Sequence, residues 1–425
     1  MIEIENVSFS YQGNEQMGAV NHLSLSIPEG QVLVLCGESG CGKTTVTRLM
    51  NGLIPNFYKG DLTGAIRVND RDITKMPLYE IAENTGSVFQ NPRSQFFNVD
   101  TDSELSFACE NLGYPKNEIV TRVSETVKEF KIERLLGKSL FHLSGGEKQM
   151  IACASVCATA PDVIILDEPS SNLDVRHISI LAKVIQKWKS QGKTVIISEH
   201  RLYYLAGIAD RFVCLAKGKT VFDLSADELR KQDEEKLSAL GLRTLDICSL
   251  EPEPADLADK QPLCFEKFRF SYKRQKECLQ LEKFCVPKNE IIAIIGNNGA
   301  AKSTFGRCLC GIEKSGIMRD GDKSLSYKDR LKQCYMVMQD VNHQLFTESV
   351  MDELLISMKN PDEERALEIL TQLGLSEYAK RHPMSLSGGE KQRVAIATAL
   401  ASDREYVVMD EPTSGLDYKH MKEVA

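Results

Sequence analysis

The chain has 425 residues, of which 42% are hydrophobic, 26% charged and 7% aromatic, and its formal net charge is −8. That composition belongs to a globular protein of two or three domains and excludes a fibre or a disordered chain. The acidic balance, with no dense Lys/Arg block, argues against a nucleic-acid partner, and none is expected.

The N-terminal stretch MIEIENVSFSY alternates apolar and polar residues and has no basic leader, so it reads as a strand and not a signal peptide. Val32–Cys36 is a short buried strand, and a helix begins within Gly42–Gly52. Ser103–Leu112 and Glu118–Phe130 have helical spacing, with Gly113 and Pro115 breaking the chain between them. Val163–Leu166 is a second buried strand, Val175–Ser190 a helix, Thr194–Ser198 a third strand, and Asp223–Lys236 a charged helical tail. Apolar strands alternating with helices predict an α/β layer around a parallel sheet. The longest apolar runs, such as Val32–Cys36, Val163–Leu166 and Ile291–Ile295, fall far short of the ~20 residues of a membrane-spanning helix. A chain in the cytosol is therefore expected, with any membrane role supplied by a partner. The 13 cysteines show no paired framework and no zinc spacing, which predicts reduced, mostly buried thiols.

The chain repeats itself in order. VSFSY at Val7–Tyr11 recurs as FRFSY at Phe268–Tyr272, CGESGCGKTT at Cys36–Thr45 as IGNNGAAKST at Ile295–Thr304, LSGGEKQ at Leu143–Gln149 at Leu386–Gln392, and IILDEPSSNLD at Ile164–Asp174 as VVMDEPTSGLD at Val407–Asp417. A period of about 250 residues means two whole domains and not a solenoid. The first is expected over 1–240, an acidic, Pro-rich linker over 241–262, and the second over 263–425.

Gly37, Gly40, Gly42, Lys43 and Thr44 fit a glycine-rich turn between a strand and a helix, whose backbone N–H groups cradle phosphate oxygens. Lys43 would reach the β- and γ-phosphates of a nucleotide, and Thr44 would ligate Mg²⁺. The apolar strand before Asp167 and Glu168 ends in two acids. Asp167 suits a Mg²⁺ ligand, and Glu168 a group that orients or deprotonates water. Ser144, Gly145 and Gly146 open a helix suited to an anion, and Ser144 with Glu147 also reads as a capping box. Cys41 lies inside the turn at a helix N-terminus, where a thiol pKa tends to fall.

Twice over, these motifs resemble the ABC ATPase superfamily. The resemblance implies tandem P-loop nucleotide-binding domains, each with a RecA-like core, an antiparallel β subdomain and a helical subdomain, using ATP and Mg²⁺. It further implies that Tyr11 and Tyr272 stack on adenine. Gln90 and Gln339 would sense Mg²⁺ and the γ-phosphate, Ser171–Asp174 and Ser414–Asp417 would be D-loops, and His200 would be the switch histidine. Thr45 and, in the second copy, Gly296, Gly299, Lys302, Ser303, Thr304, Asp410 and Glu411 take the matching roles. In that family two domains sandwich two ATPs. One site would join Lys43, Asp167, Glu168 and His200 to Ser387, Gly388 and Gly389. The other would join Lys302, Ser303, Asp410 and Glu411 to Ser144, Gly145 and Gly146.

Each Gln is followed five residues on by a second Gln and then by apolar residues, Phe96 and Phe97 in one copy, Leu345 and Phe346 in the other. This resembles the ATPase subunits of energy-coupling-factor importers of vitamins and metal ions, which grip a transmembrane coupling subunit there and work with a substrate-binding membrane subunit. A peripheral place on the inner face of the cell membrane is implied. The alternative is a soluble tandem ATPase acting on ribosomes or nucleic acid, although the linker here is short and acidic. The second copy departs from the pattern in two ways. Ala301 replaces the glycine before the lysine, and fits if its φ is negative. No counterpart of His200 or its strand lies within the sequence, which reads as C-terminal incompleteness, since a sheet that loses a strand exposes core.

Overall fold

A computed structural model describes residues 1–13, 19–247, 262–273, 278–413 and 416–424. The chain forms two compact units, Met1–Leu250 with Leu416–Lys419, and Glu251–Gly415 with His420–Ala425. Most of the expected linker, 248–261, lies outside the described residues; of the rest, Leu242 is buried in the core of the first unit.

In the first unit, β1 (Ile2–Tyr11), β2 (Val20–Ile27), β4 (Gly60–Val68) and β5 (Arg71–Asp72) form an antiparallel sheet in the order β2-β1-β4-β5. A second sheet has the order β10-β9-β3-β8-β7-β6. Here β3 is Val32–Cys36, β6 Thr85–Val88, β7 Val163–Asp167, β8 Thr194–Ser198, β9 Arg211–Ala216 and β10 Lys219–Ser225. All its pairings are parallel except β9 with β10.

The pleat of β3 explains the layering, because successive side chains point to opposite faces. Val32, Val34 and Cys36 pack with Met150 and Ile151 of helix Gly145–Ala158 and with Leu181 and Ile185 of helix Val175–Ser190. Leu33 and Leu35 pack with Ile2, Ile4 and Phe9 of β1 and with Val46 and Leu49 of helix Lys43–Met50. Both faces of the strand are covered, so it reads as a continuous apolar run.

The sequence reading anticipated most of these elements. Helices Thr101–Asn111 and Lys116–Phe130 meet at Gly113, whose φ is +74°, and Pro115. The tail expected as one helix over Asp223–Lys236 is different: Asp223 pairs with Val213 in the sheet, and two short helices, Ala226–Arg230 and Glu234–Ala239, follow. Ser225 ends the strand and caps the first of these with Glu228, so local capping overrode the charge pattern.

The second unit has the antiparallel sheet β12-β11-β13-β14, with β11 Pro262–Phe270, β12 Leu279–Pro287, β13 Ile317–Asp320 and β14 Lys323–Leu325. A parallel pair, β15 (Cys334–Val337) and β16 (Tyr406–Met409), stands beside it. The run Ile291–Ile295 occupies the place that β3 has in the first copy, but no described strand pairs with it. Ile291 is 95% exposed and Ile295 91%. The expectation of reduced thiols fails at one place: Cys264 and Cys285 are joined in a disulfide across β11 and β12.

Candidate functional site

The chain leaves the buried end of β3 and turns sharply into helix Lys43–Met50. Glycine is required here. Gly37 has φ +133°, and a Cβ on it would lie 2.2 Å from the carbonyl oxygen of Leu215. Gly40 and Gly42 also have positive φ, +76° and +109°. The turn wraps around the buried Lys43, whose Nζ donates to the carbonyls of Gly37 and Glu38, both at 2.9 Å. Tyr11, at the end of β1, reaches the same helix: its hydroxyl is 3.2 Å from Thr45 Oγ1 and accepts from Arg48 at 2.9 Å.

Two strands away, β7 delivers the acid pair. Thr44 Oγ1 donates to Asp167 Oδ1 at 3.3 Å. Glu168 lies at φ +46°, and its backbone N–H is tied to Ser198 O of β8 at 2.8 Å, which turns its side chain into the site. Gln90 Nε2 donates to Glu168 Oε2 at 2.8 Å, and His200 Nε2 lies 3.3 Å from Glu168 Oε1. Lys43, Thr44, Asp167, Glu168, Gln90 and His200 thus form one connected cluster.

Its electrostatics are uneven. Burial, together with the neighbouring Glu168, pushes the Asp167 carboxyl up to about 6. Burial also acts upward on Glu168, but the His200 charge and hydrogen bond outweigh it and hold this carboxyl below its usual range. The hard oxygens of Thr44 and Asp167 are the donor type that suits Mg²⁺, and a cation beside Asp167 would relieve the cost of its buried charge. Cys41 does not follow expectation. Its thiol is pushed up, because burial exceeds the opposing effect of Lys43.

The second copy rebuilds part of this. Lys302 Nζ donates to the carbonyls of Gly296 and Asn297 at 2.8 and 3.0 Å. Tyr272 OH is 3.1 Å from Thr304 Oγ1, and Gln339 Nε2 donates to Glu411 Oε2 at 2.9 Å. Gly299 has φ +80° and Glu411 φ +53°. Asp410 is tied through its backbone N–H to Val337 O at 3.0 Å, and Ser303 is exposed on the helix Lys302–Leu309. Ala301 has φ +65°, so the condition under which alanine would fit without strain is not met.

Each SGG motif begins a helix, Gly145–Ala158 or Gly388–Ala401, through a capping box, the one expected for Ser144 with Glu147 and a second formed by Ser387 with Glu390. Ser144 N donates to Glu147 Oε2 at 3.0 Å, and Ser387 N to Glu390 Oε2 at 2.7 Å. The following glycines, Gly146 and Gly389, lie in the first turn of each helix.

Sequence reading missed how the loops after Gln90 and Gln339 are held. Gln95 Oε1 accepts from Phe89 N at 3.1 Å, while its Nε2 donates to Ser87 O at 3.2 Å. Gln344 does the same with Met338 N and Met336 O, both at 3.1 Å. A buried glutamate finishes the clip. Glu104 accepts from Phe97 N and Asn98 N at 3.1 and 2.8 Å, and Glu353 from Phe346 N and Thr347 N. Phe97 and Phe346 are left 76% and 74% exposed, whereas Leu345 is buried and Phe96 packs on the core. Also missed was Glu199, buried beside His200. It accepts from the backbone N–H of His200 at 2.8 Å and of Arg201 at 3.1 Å, and from Tyr204 OH at 2.9 Å. The repeated second Gln was visible in sequence; the glutamates lacked any motif.

A strand-to-helix phosphate turn, an acid pair at the end of a strand of the same sheet and a capped SGG helix, with these motifs duplicated along the chain, define a tandem P-loop ATPase. The ABC transporter family model matches residues 20–171 and 279–414, and the chain belongs to that family. A Treponema denticola protein named as an ABC transporter ATP-binding protein is 43% identical over 431 residues, covering 100% of this chain and 88% of the relative. YkoD of Bacillus subtilis, named for HMP/thiamine import, is 32% identical, covering 98% and 82%. A chain in the structure of ribosome-bound archaeal Pelota and ABCE1 shares the fold at a TM-score of 0.68 and 22% identity, over 98% of this chain and 70% of that one.

Proposed function

We propose that this ABC ATPase powers a membrane importer of the energy-coupling-factor type, taking up a vitamin or a metal ion. The observation that carries the reading is the pair of clipped loops. In each copy the residue that touches the catalytic glutamate, Gln90 or Gln339, starts a loop that ends in an exposed phenylalanine. An exposed aromatic on a rigid loop is an anchor for a partner helix, and here it is wired to the acid that governs hydrolysis. The relative named for HMP/thiamine import supports the same reading. No helix among the described residues is long and apolar enough to cross a membrane. The membrane path would therefore belong to a transmembrane coupling subunit and a substrate-binding subunit, with this chain peripheral on the inner face.

In this mechanism Lys43 and the turn N–H groups hold the nucleotide phosphates, and Tyr11 flanks the base. Thr44 and Asp167 would hold Mg²⁺, which would supply positive charge to neutralise the phosphates. Glu168 orients the attacking water, steadied by Gln90 and His200. Lys302, Ser303, Thr304, Asp410, Glu411, Gln339 and Tyr272 serve the second site.

The test is affinity purification of the intact chain from solubilised membranes. Integral membrane proteins should co-purify and stimulate its ATPase. Phe97→Glu with Phe346→Glu should lose them while basal ATP hydrolysis persists. Co-sedimentation with ribosomes, and no membrane partner, would replace this reading with that of a ribosome-acting ATPase.

A further inference from the structure

We propose that Cys264 and Cys285 form a reversible thiol–disulfide site on the outer face of the second unit's antiparallel sheet. The two residues sit directly opposite each other in the register of β11 and β12, with Cα atoms 4.0 Å apart, and are bonded. Their neighbours Leu263 and Phe265 are buried in the core, so alternation sends Cys264 to the other face, and Cys285 is exposed. Filling the interior, the ordinary use of a buried cysteine, does not account for either of them.

The internal repeat sharpens the point. Aligning Tyr11 with Tyr272 puts Glu3 at the position of Cys264, and the register partner of Glu3 is Ser26. One copy carries a polar, solvent-facing pair where the other carries two thiols. By contrast, Cys36, Cys41, Cys109, Cys153, Cys214, Cys308, Cys310 and Cys334 are all buried. The pair is therefore open to exchange with a small disulfide or dithiol, which exposed disulfides undergo more readily than structural ones.

The chemistry balances with a low-molecular-weight disulfide such as oxidised glutathione. One cysteine thiolate attacks it and releases one glutathione, leaving a mixed disulfide. The second cysteine then displaces the other glutathione as the Cys264–Cys285 bond forms. Two protons and two electrons pass to the two glutathiones. A dithiol reverses both steps and ends as its own disulfide.

The experiment equilibrates the whole chain in glutathione buffers of increasing oxidised fraction, alkylates free thiols, and quantifies each cysteine peptide by mass spectrometry. Cys278, exposed and free, is the internal reference. Cys264 and Cys285 should become protected together, by about tenfold or more relative to Cys278, and dithiothreitol should restore both without denaturant. Cys264→Ser should leave Cys285 as reactive as Cys278 in every buffer. The proposal is overturned if both cysteines stay alkylatable in the most oxidising buffer, since no bond then forms. It is equally overturned if dithiothreitol opens the bond only in denaturant, since the bond is then a fixed staple. The titration of the unmodified chain decides this even if the serine variant does not fold.

Discussion

Single residues here trade stability for chemistry. Asp167 is held at a cost, since burial raises its carboxyl to about 6 from an ordinary value near 4. A raised acid pKa means the folded state binds the proton more tightly. Folding stability should therefore rise as pH falls through about 6, and be lost as pH rises back through it. In the metal-free chain, Asp167→Asn should flatten that dependence. At neutral pH it should add stability on the order of 3 kcal/mol, read by urea titration at pH 5 and pH 7.5. An unchanged slope would mean the charge is already offset by its neighbours. Ala301 carries strain of another kind. An L-residue in the left-handed region costs about 1 kcal/mol, so Ala301→Gly should stabilise the second unit by about that amount, while Gly42→Ala should destabilise the first by more. The larger cost is expected because a Cβ at Gly42 would lie 3.3 Å from the carbonyl oxygen of Ala19.

Elements inherit their order from their neighbours. Val32–Cys36 is fully buried because β8 and β9 hydrogen-bond to its two edges. Ile291–Ile295 has the same apolar character, yet no described strand flanks it and its side chains meet solvent. Amide hydrogen exchange should separate the two runs in this 425-residue chain. Protection in Val32–Cys36 should approach that of global unfolding, and in Ile291–Ile295 it should be near zero. Comparable protection would show that the second run finds strand partners. The clipped loops make the opposite point. Polar side chains, Gln95 just after the short 3-10 turn Pro92–Ser94 and Glu104 in the first turn of helix Thr101–Asn111, fix the connection between β6 and that helix, and so hold Phe97 in a defined place.

Across the molecule, the two copies are not equal. The first gathers Lys43, Thr44, Asp167, Glu168, Gln90 and a histidine in one cluster, in which Lys43, Asp167, Glu168 and His200 are buried. The second has a strained Ala301 and a more exposed lysine and serine, Lys302 and Ser303. A phosphate turn strained at the residue before its lysine positions that lysine less well, and one positioned donor lost around a transferred phosphoryl group costs about 3 kcal/mol, or roughly a hundredfold in rate. Steady-state phosphate release should therefore fall far more for Glu168→Gln than for Glu411→Gln. Equal losses would mean two equivalent or strictly coupled sites, and the asymmetry would be withdrawn.

Motif chemistry and repetition were legible in the sequence, because glycine turns, acid pairs and capping boxes are local and depend on residues a few positions apart. From them followed the α/β class, the duplication, the ATPase family and the strand and helix positions around the first site. What only the tertiary structure decided depends on groups distant in sequence. The sign of φ at Ala301 is set by how the turn closes on its helix. Burial, which pushes the Cys41 thiol up and overrides the helix N-terminus, comes from packing on all sides. The pairing of Cys264 with Cys285 follows from strand register, and the exposure of Ile291–Ile295 from which strands stand beside it. Burial and register are properties of the assembled layers, and no local window of sequence contains them.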